Sequence, residues 1–132
     1  MKDTSIMSRW SLSILFFAGL AGAAGLITAA SAAHVTQDPF LNTAASILQV
    51  QAAATIAILA FAGPERGHWF LKAAASLLLG GCYLFAGDLL FHAWRGERLF
   101  PMAAPLGGSL MIIGWIGVAL AALVRLIRPQ TK

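Results

Sequence analysis

Asp88 is the one acidic side chain set well inside an apolar run, in YLFAGDLLFHAW at 83–94, and His92 follows it by four residues. On a helix that interval stacks two side chains one turn apart on the same face. A carboxylate beside an imidazole can relay protons, because histidine titrates near neutrality. It can also ligate a metal through neutral imidazole and carboxylate. His34, closing AASAAH at 29–34, and Gln49, in ILQVQA at 47–52, are the other polar candidates. A charge at the bilayer centre costs about 2.5–3.5 kcal/mol on insertion scales, so an ionisable group in such a run has either a partner or a task. For Asp88 the expected partner is interfacial water, a Ser or Trp of a neighbouring helix, or Arg95 or Arg98. Axial haem ligation by His34 and His92 is geometrically conceivable, but no sequence feature favours it. No cofactor, metal or catalytic residue is expected, and no HExxH, GxxxxGK or Gly-x-Ser-x-Gly pattern occurs.

The elements that must hold these residues are spans. Of 132 residues 59% are hydrophobic and 11% charged, against roughly 25% charged in a soluble domain. Crossing the roughly 30 Å hydrocarbon core takes about 20 apolar residues. Four stretches qualify, Ser11–Ala33, Thr43–Ala62, Phe70–Phe91 and about Pro105–Val124. Each must be helical, because lipid leaves no partner for open backbone groups. The expected fold is an all-α membrane protein, a compact bundle of four transmembrane helices forming a single domain over residues 1–132. Its first partner is the lipid bilayer.

The connectors are short and carry turn residues in DPFLN and AGPERG. Alternate ends of the spans carry seven Lys and Arg (Lys2, Arg9, Arg66, Lys72, Arg125, Arg128, Lys132) against two (Arg95, Arg98). By the positive-inside rule both termini are cytoplasmic, in what reads as a bacterial inner membrane. The basic residues mark span ends and form no patch, so no nucleic-acid partner is expected. Trp10, Trp69 and Trp94 fall at span ends as interfacial anchors. The first span also has features of a signal peptide, basic residues ahead of it and ASA at 30–32, but its apolar run is long for one and no exported domain follows. It is expected to be retained. Cys82, the one cysteine, lies within an apolar run and reads as a packing residue.

Glycine and alanine are placed in phase. Ala18, Gly22, Gly25, Ala29 and Ala32 fall on one stripe of the first helix. Close backbone approach along such stripes is a main source of helix association in lipid, which puts the first span at the bundle centre. Gly107, Gly114, Gly117 and Ala121 share a face of the fourth span, and Gly80, Gly81 and Gly87 thin the third. Pro105 is tolerated in a first helical turn, where its missing N–H would be unpaired anyway, and Gly107 and Gly108 admit a neighbour just inside. Trp115 lies near mid-bilayer, where its N–H needs a partner, so it is expected to face another helix. Thr43, Ser46, Gln49, Gln51 and Thr55 draw a polar line on the second span, read as interhelical hydrogen bonding or a path for a polar solute.

PLGG at 105–108 with GW at 114–115, YLFAGDLL at 83–90 and the Gly/Ala-rich first helix ending in AASAAH make the chain resemble the small membrane proteins of domain-of-unknown-function family 423. The same group is called uncharacterised protein family 0382, with transmembrane protein 256 a eukaryotic relative. The resemblance covers nearly the whole chain. It implies four membrane helices and no assigned activity. His34 matches the histidine closing the family's first helix, where two family glycines are Ala29 and Ala32 here. The family's Tyr-Gln-x-x-His keeps only Gln49, with Leu48 and Ala52 in place of its tyrosine and histidine. Chemistry needing both histidines is not implied for this chain.

The expected role is non-catalytic, a structural or accessory component of a membrane complex or a homo-oligomer. The alternative is a small transporter or ion-conducting bundle using Asp88 with His34 and Gln49.

Overall fold

The computed structural model of the chain describes residues 7–35, 37–63 and 68–128. Four helices account for almost all of them: α1 (Arg9–His34), α2 (Pro39–Ala62), α3 (Trp69–Arg95) and α4 (Ala103–Ile127). The shortest has 24 residues and the longest 27. At about 1.5 Å per residue each exceeds the hydrocarbon thickness. All four are long and apolar enough to cross a membrane.

Local signals fix the ends. Ser8 caps α1, its side chain accepting from the Ser11 amide at 3.1 Å. α2 starts four residues before the expected Thr43, because Asp38 caps it through the Phe40 amide at 2.8 Å and Pro39 takes the first helical position. DPFLN is thus a helix start, with an acceptor at the cap and a preset φ after it. α3 runs past Phe91 until Gly96, whose φ of 72° allows its N–H to turn back to the His92 carbonyl at 2.8 Å. α4 begins at Ala103 after Met102, a non-glycine residue at φ 73°. That left-handed conformation costs roughly 1–2 kcal/mol. Pro105 is therefore the third residue of α4, still within the first turn.

The helices do not share the interior equally. Of their apolar windows, α2 and α3 bury 44%, α1 28% and α4 11%. The centre is α2 and α3, which pack on each other while α1 packs chiefly on α2 and α4 on α3. This corrects the expectation that the first span is central: its small-residue stripe serves one neighbour and leaves the opposite face, including Phe16, Leu26 and Ile27, exposed. Leu48, Ala52, Leu78, Leu79, Cys82 and Ala86 form the middle of the core, with Ile14, Ala18 and Ala21 added from α1 and Met111 from α4. Trp10 donates to Ser76 at 3.1 Å and Tyr83 to the Phe17 carbonyl at 2.6 Å, tying the first half of α1 to α3. The start of α1 and the end of α4 accordingly both lie beside the first turns of α3.

Candidate functional site

Asp88 is 2% exposed, and its Oδ1 accepts the main-chain N–H of Leu99 at 2.9 Å. The donor comes from the loop between α3 and α4, not from a neighbouring helix or an arginine as the sequence suggested. That loop folds back over the end of α3, and the Leu99 side chain comes to rest over Gly87, whose Cβ, if present, would lie 3.8 Å from Leu99 Cδ1. Asp88 is thus an acceptor for a turn of loop backbone.

His92, one turn further along α3, packs edge-on against Phe40 at the start of α2, ring centroids 4.7 Å apart. Its Nδ1 is buried without a hydrogen-bond partner among the described residues. His34 is exposed in the last turn of α1. Gln49 reaches across to α1, its Nε2 donating to the Gly25 carbonyl at 3.3 Å. The four candidates thus have separate local engagements: Asp88 with the loop, His92 with α2, Gln49 with α1, and His34 at the surface. Among the described residues no three His, Cys, Asp or Glu side chains are grouped so as to hold a metal.

The polar line on α2 also divides. Thr43 and Ser46 donate to their own helix, to Pro39 and Asn42 carbonyls at 2.9 and 3.0 Å, and face outward. Only Gln49 bonds across an interface. Gln51 and Thr55 are buried at 6% and 0% exposure, and Gln51 Oε1 and Thr55 Oγ1 have no partner among the described residues. Cys82 is fully buried, with Sγ 3.8 Å from the Ile47 carbonyl.

The glycines are where helices touch most closely. A Cβ on Gly25 would lie 2.8 Å from Gln49 Cγ and 3.1 Å from its main-chain nitrogen, so α1 meets α2 there without room for a methyl group. Gly22, one turn before, has slack, its nearest neighbour being Ala52 Cβ at 3.7 Å. Between α3 and α4 the contact is reciprocal: a Cβ on Gly107 would meet the Phe85 nitrogen at 2.6 Å and the Gly81 carbonyl at 2.7 Å, and one on Gly81 would meet the Gly107 carbonyl at 2.6 Å. Gly114 continues the seam against Leu78 Cγ at 2.8 Å. Gly108 is only loosely covered by the Phe85 ring edge at 3.9 Å, and Gly80 has nothing within 4 Å. Pro105 is exposed beside this seam.

Trp115 departs from expectation. It is 44% exposed and no helix of the chain covers it. Gly114 takes the α3-facing position of this turn, and the next residue points about 100° away.

Sequence reasoning passed over three features. Gly81 was grouped with its neighbours although Gly81 alone fits between Leu78 and Phe85 on the α4-facing side of α3. The Tyr83 and Trp10 crossbonds needed knowledge of which helices are adjacent. Lys72, counted as a flanking charge, is 4% exposed within the first turn of α3.

Residues 18–108 match the model of the family described as "Protein of unknown function (DUF423)". The chain is 33% identical over 98 residues to the UPF0382 membrane protein of Haemophilus influenzae, an alignment covering 74% of this chain and 79% of that protein. No solved structure matches it. A match spanning α3 and both glycines of its reciprocal contact with α4, together with a bacterial membrane protein aligned over most of its length, establishes that this chain belongs to the DUF423 family.

Proposed function

We propose that the chain is a non-catalytic accessory component of a bacterial inner membrane, with its termini cytoplasmic and the outer face of α4 as the surface by which it joins a second membrane-spanning chain. One observation carries this reading. Trp115 is the midpoint of α4, the residue is 44% exposed, and no described residue accepts its N–H. A Trp at an interface can put its N–H in water, as Trp10, Trp69 and Trp94 are placed to do. At mid-bilayer the N–H has no such outlet and costs free energy until something accepts it. Ile112 and Ile116, exposed beside it, give the same face apolar bulk.

Conduction through Asp88 with His34 and Gln49 is the competing reading. The accessory role is favoured over it because Gln49 and Asp88 are engaged separately, with α1 and with the loop, while His34 lies exposed in the last turn of α1.

The test is site-specific photocrosslinking from position 115 in native membranes, with position 26, exposed on α1, as the control. A single product of twice the chain's mass identifies a homo-oligomer, and a single heavier product of other composition identifies a partner complex. Crosslinks to lipid alone, equal at 115 and 26, would refute the reading.

A further inference from the structure

Beside the seam of α3 and α4, at the end of the bundle where α1 starts and α4 ends, lies a half-open cavity of about 620 Å³. This is within the roughly 300–1,000 Å³ of small-ligand sites. Its lining is divided in character: Phe70, Leu120 and Val124 supply apolar walls, and His68, Arg125 and Arg128 supply the polar part. Arg125 is held in place by a second helix, its guanidinium carbon 5.2 Å from the Phe61 ring centroid at the end of α2. The first turn of α3 lines the same cavity and has no side-chain cap, so its main-chain amides add the partial positive charge of a helix start.

Charge is lopsided around it. The acidic residues among the described ones, Asp38, Asp88 and Glu97, all sit at the other end of the bundle, whereas Arg9, Lys72, Arg125 and Arg128 sit at this one. A groove with apolar walls running into the bilayer and two guanidiniums at the headgroup level matches one class of molecule, which has two hydrocarbon chains below a phosphate.

We propose that the α3–α4 cavity is a binding site for an acidic phospholipid, its phosphate held by Arg125 and Arg128 and an acyl chain lying along Phe70, Leu120 and Val124. The site is separate from the outer face of α4 around Trp115 and stands whether or not that face has a partner. Basic pockets between membrane helices are suited to anionic headgroups, and paired guanidiniums match phosphate oxygens better than lysines do.

The full chain, purified and delipidated in mild detergent, is to be titrated with dioleoylphosphatidylglycerol, dioleoylphosphatidylcholine and inorganic phosphate, with thermal unfolding and native mass spectrometry as readouts. Phosphatidylglycerol should raise the melting temperature and remain bound in the gas phase, and the other two should not. R125Q/R128Q should weaken retention of phosphatidylglycerol on the order of thirtyfold, about fivefold for each cation, while unfolding in phosphatidylcholine stays as in the unmodified chain. Arg9→Gln, at the same end but outside the cavity, should leave phosphatidylglycerol binding intact. Equal stabilisation by phosphatidylcholine, an equal effect of phosphate alone, or an equal loss in Arg9→Gln would each overturn the proposal, the last by showing a diffuse field instead of a site. If R125Q/R128Q fails to fold, Leu120→Trp, which fills the cavity and keeps both cations, takes its place; undiminished phosphatidylglycerol binding by that variant would also overturn it.

Discussion

Leu99 gives its main-chain N–H to Asp88 Oδ1 at 2.9 Å and lays its side chain over Gly87, so two residues near the end of α3 anchor the loop that delivers α4. One carboxylate oxygen thereby serves a backbone donor eleven residues away. The loop must reverse direction within the seven residues from Gly96 to Met102, and it does so between two left-handed positions, Gly96 and Met102. The Asp88 bond is the tie between them.

Substitution at Asp88 separates that role from ion handling. Asp88→Asn keeps an oxygen at the same position and should unfold in detergent close to the unmodified chain. Asp88→Leu leaves the Leu99 N–H without an acceptor and should lose about 1–3 kcal/mol, read as a lower melting temperature. An Asp88→Asn variant that folds normally but abolishes a proton flux present with the unmodified chain in proteoliposomes would replace the accessory reading by conduction, because an amide does not titrate in the working range.

The seam between α3 and α4 depends on the absence of a methyl group at Gly81, Gly107 and Gly114. Gly107→Ala would set a Cβ 2.6 Å from the Phe85 nitrogen, and backbone cannot move aside as a side-chain tip can. α4, with little other burial, should lift from α3. A loss of about 1–3 kcal/mol is expected from overpacking, together with faster proteolysis of the loop. Gly80→Ala, whose Cβ would meet nothing within 4 Å, is the matched control and should be silent. Equal behaviour of the two variants in a protease time course would show that the seam is not tightly packed.

The spans were readable from sequence because membrane insertion depends on the length and polarity of each stretch by itself. Phase was readable too, since Gly25, Gly107 and Gly114 recur at helical spacing and all three meet a neighbour. Adjacency was not. Nothing in the order of residues distinguishes a helix with one neighbour from a helix with several, and lipid-facing and helix-facing positions are equally apolar. Hence α1 was expected at the centre and Trp115 against a helix, and both expectations failed for the same reason. Asp88 was expected to have a polar partner, but the donor it has was not foreseen, because a backbone amide in a loop carries no residue-type signature.

The contact of α1 with α2 allows a graded test along a single stripe. Gly25→Ala must displace Gln49, whose Cγ would be 2.8 Å from the new Cβ, and Gly25→Leu must separate the helices and break the Gln49 bond to the Gly25 carbonyl. Gly22→Ala adds a methyl group at an ordinary 3.7 Å from Ala52 Cβ and should be neutral or slightly stabilising. The expected order of melting temperature is Gly22→Ala at or above the unmodified chain, then Gly25→Ala, then Gly25→Leu. An unchanged melting profile for Gly25→Leu would mean that this face of α1 looks at lipid.

Orientation follows from charge and can be read independently of packing. Four consecutive spans would bring both ends of the chain to one side, and by the positive-inside rule the seven-to-two distribution of Lys and Arg predicts that this side is the cytoplasm. A phosphatase reporter, active only outside the cytoplasm, should be inactive when fused after Lys132 and active when inserted beside Asp38 in the connector between α1 and α2. A reporter active only in the cytoplasm should give the reverse pattern. The same pair of positions distinguishes the ways of being wrong. Exchanged signals would keep four spans and reverse the direction, placing the Arg125 and Arg128 cavity in the outer leaflet. Like signals at both positions would remove the four-span arrangement itself, because residues 38 and 132 are separated by three spans and an odd number of crossings must put them on opposite sides.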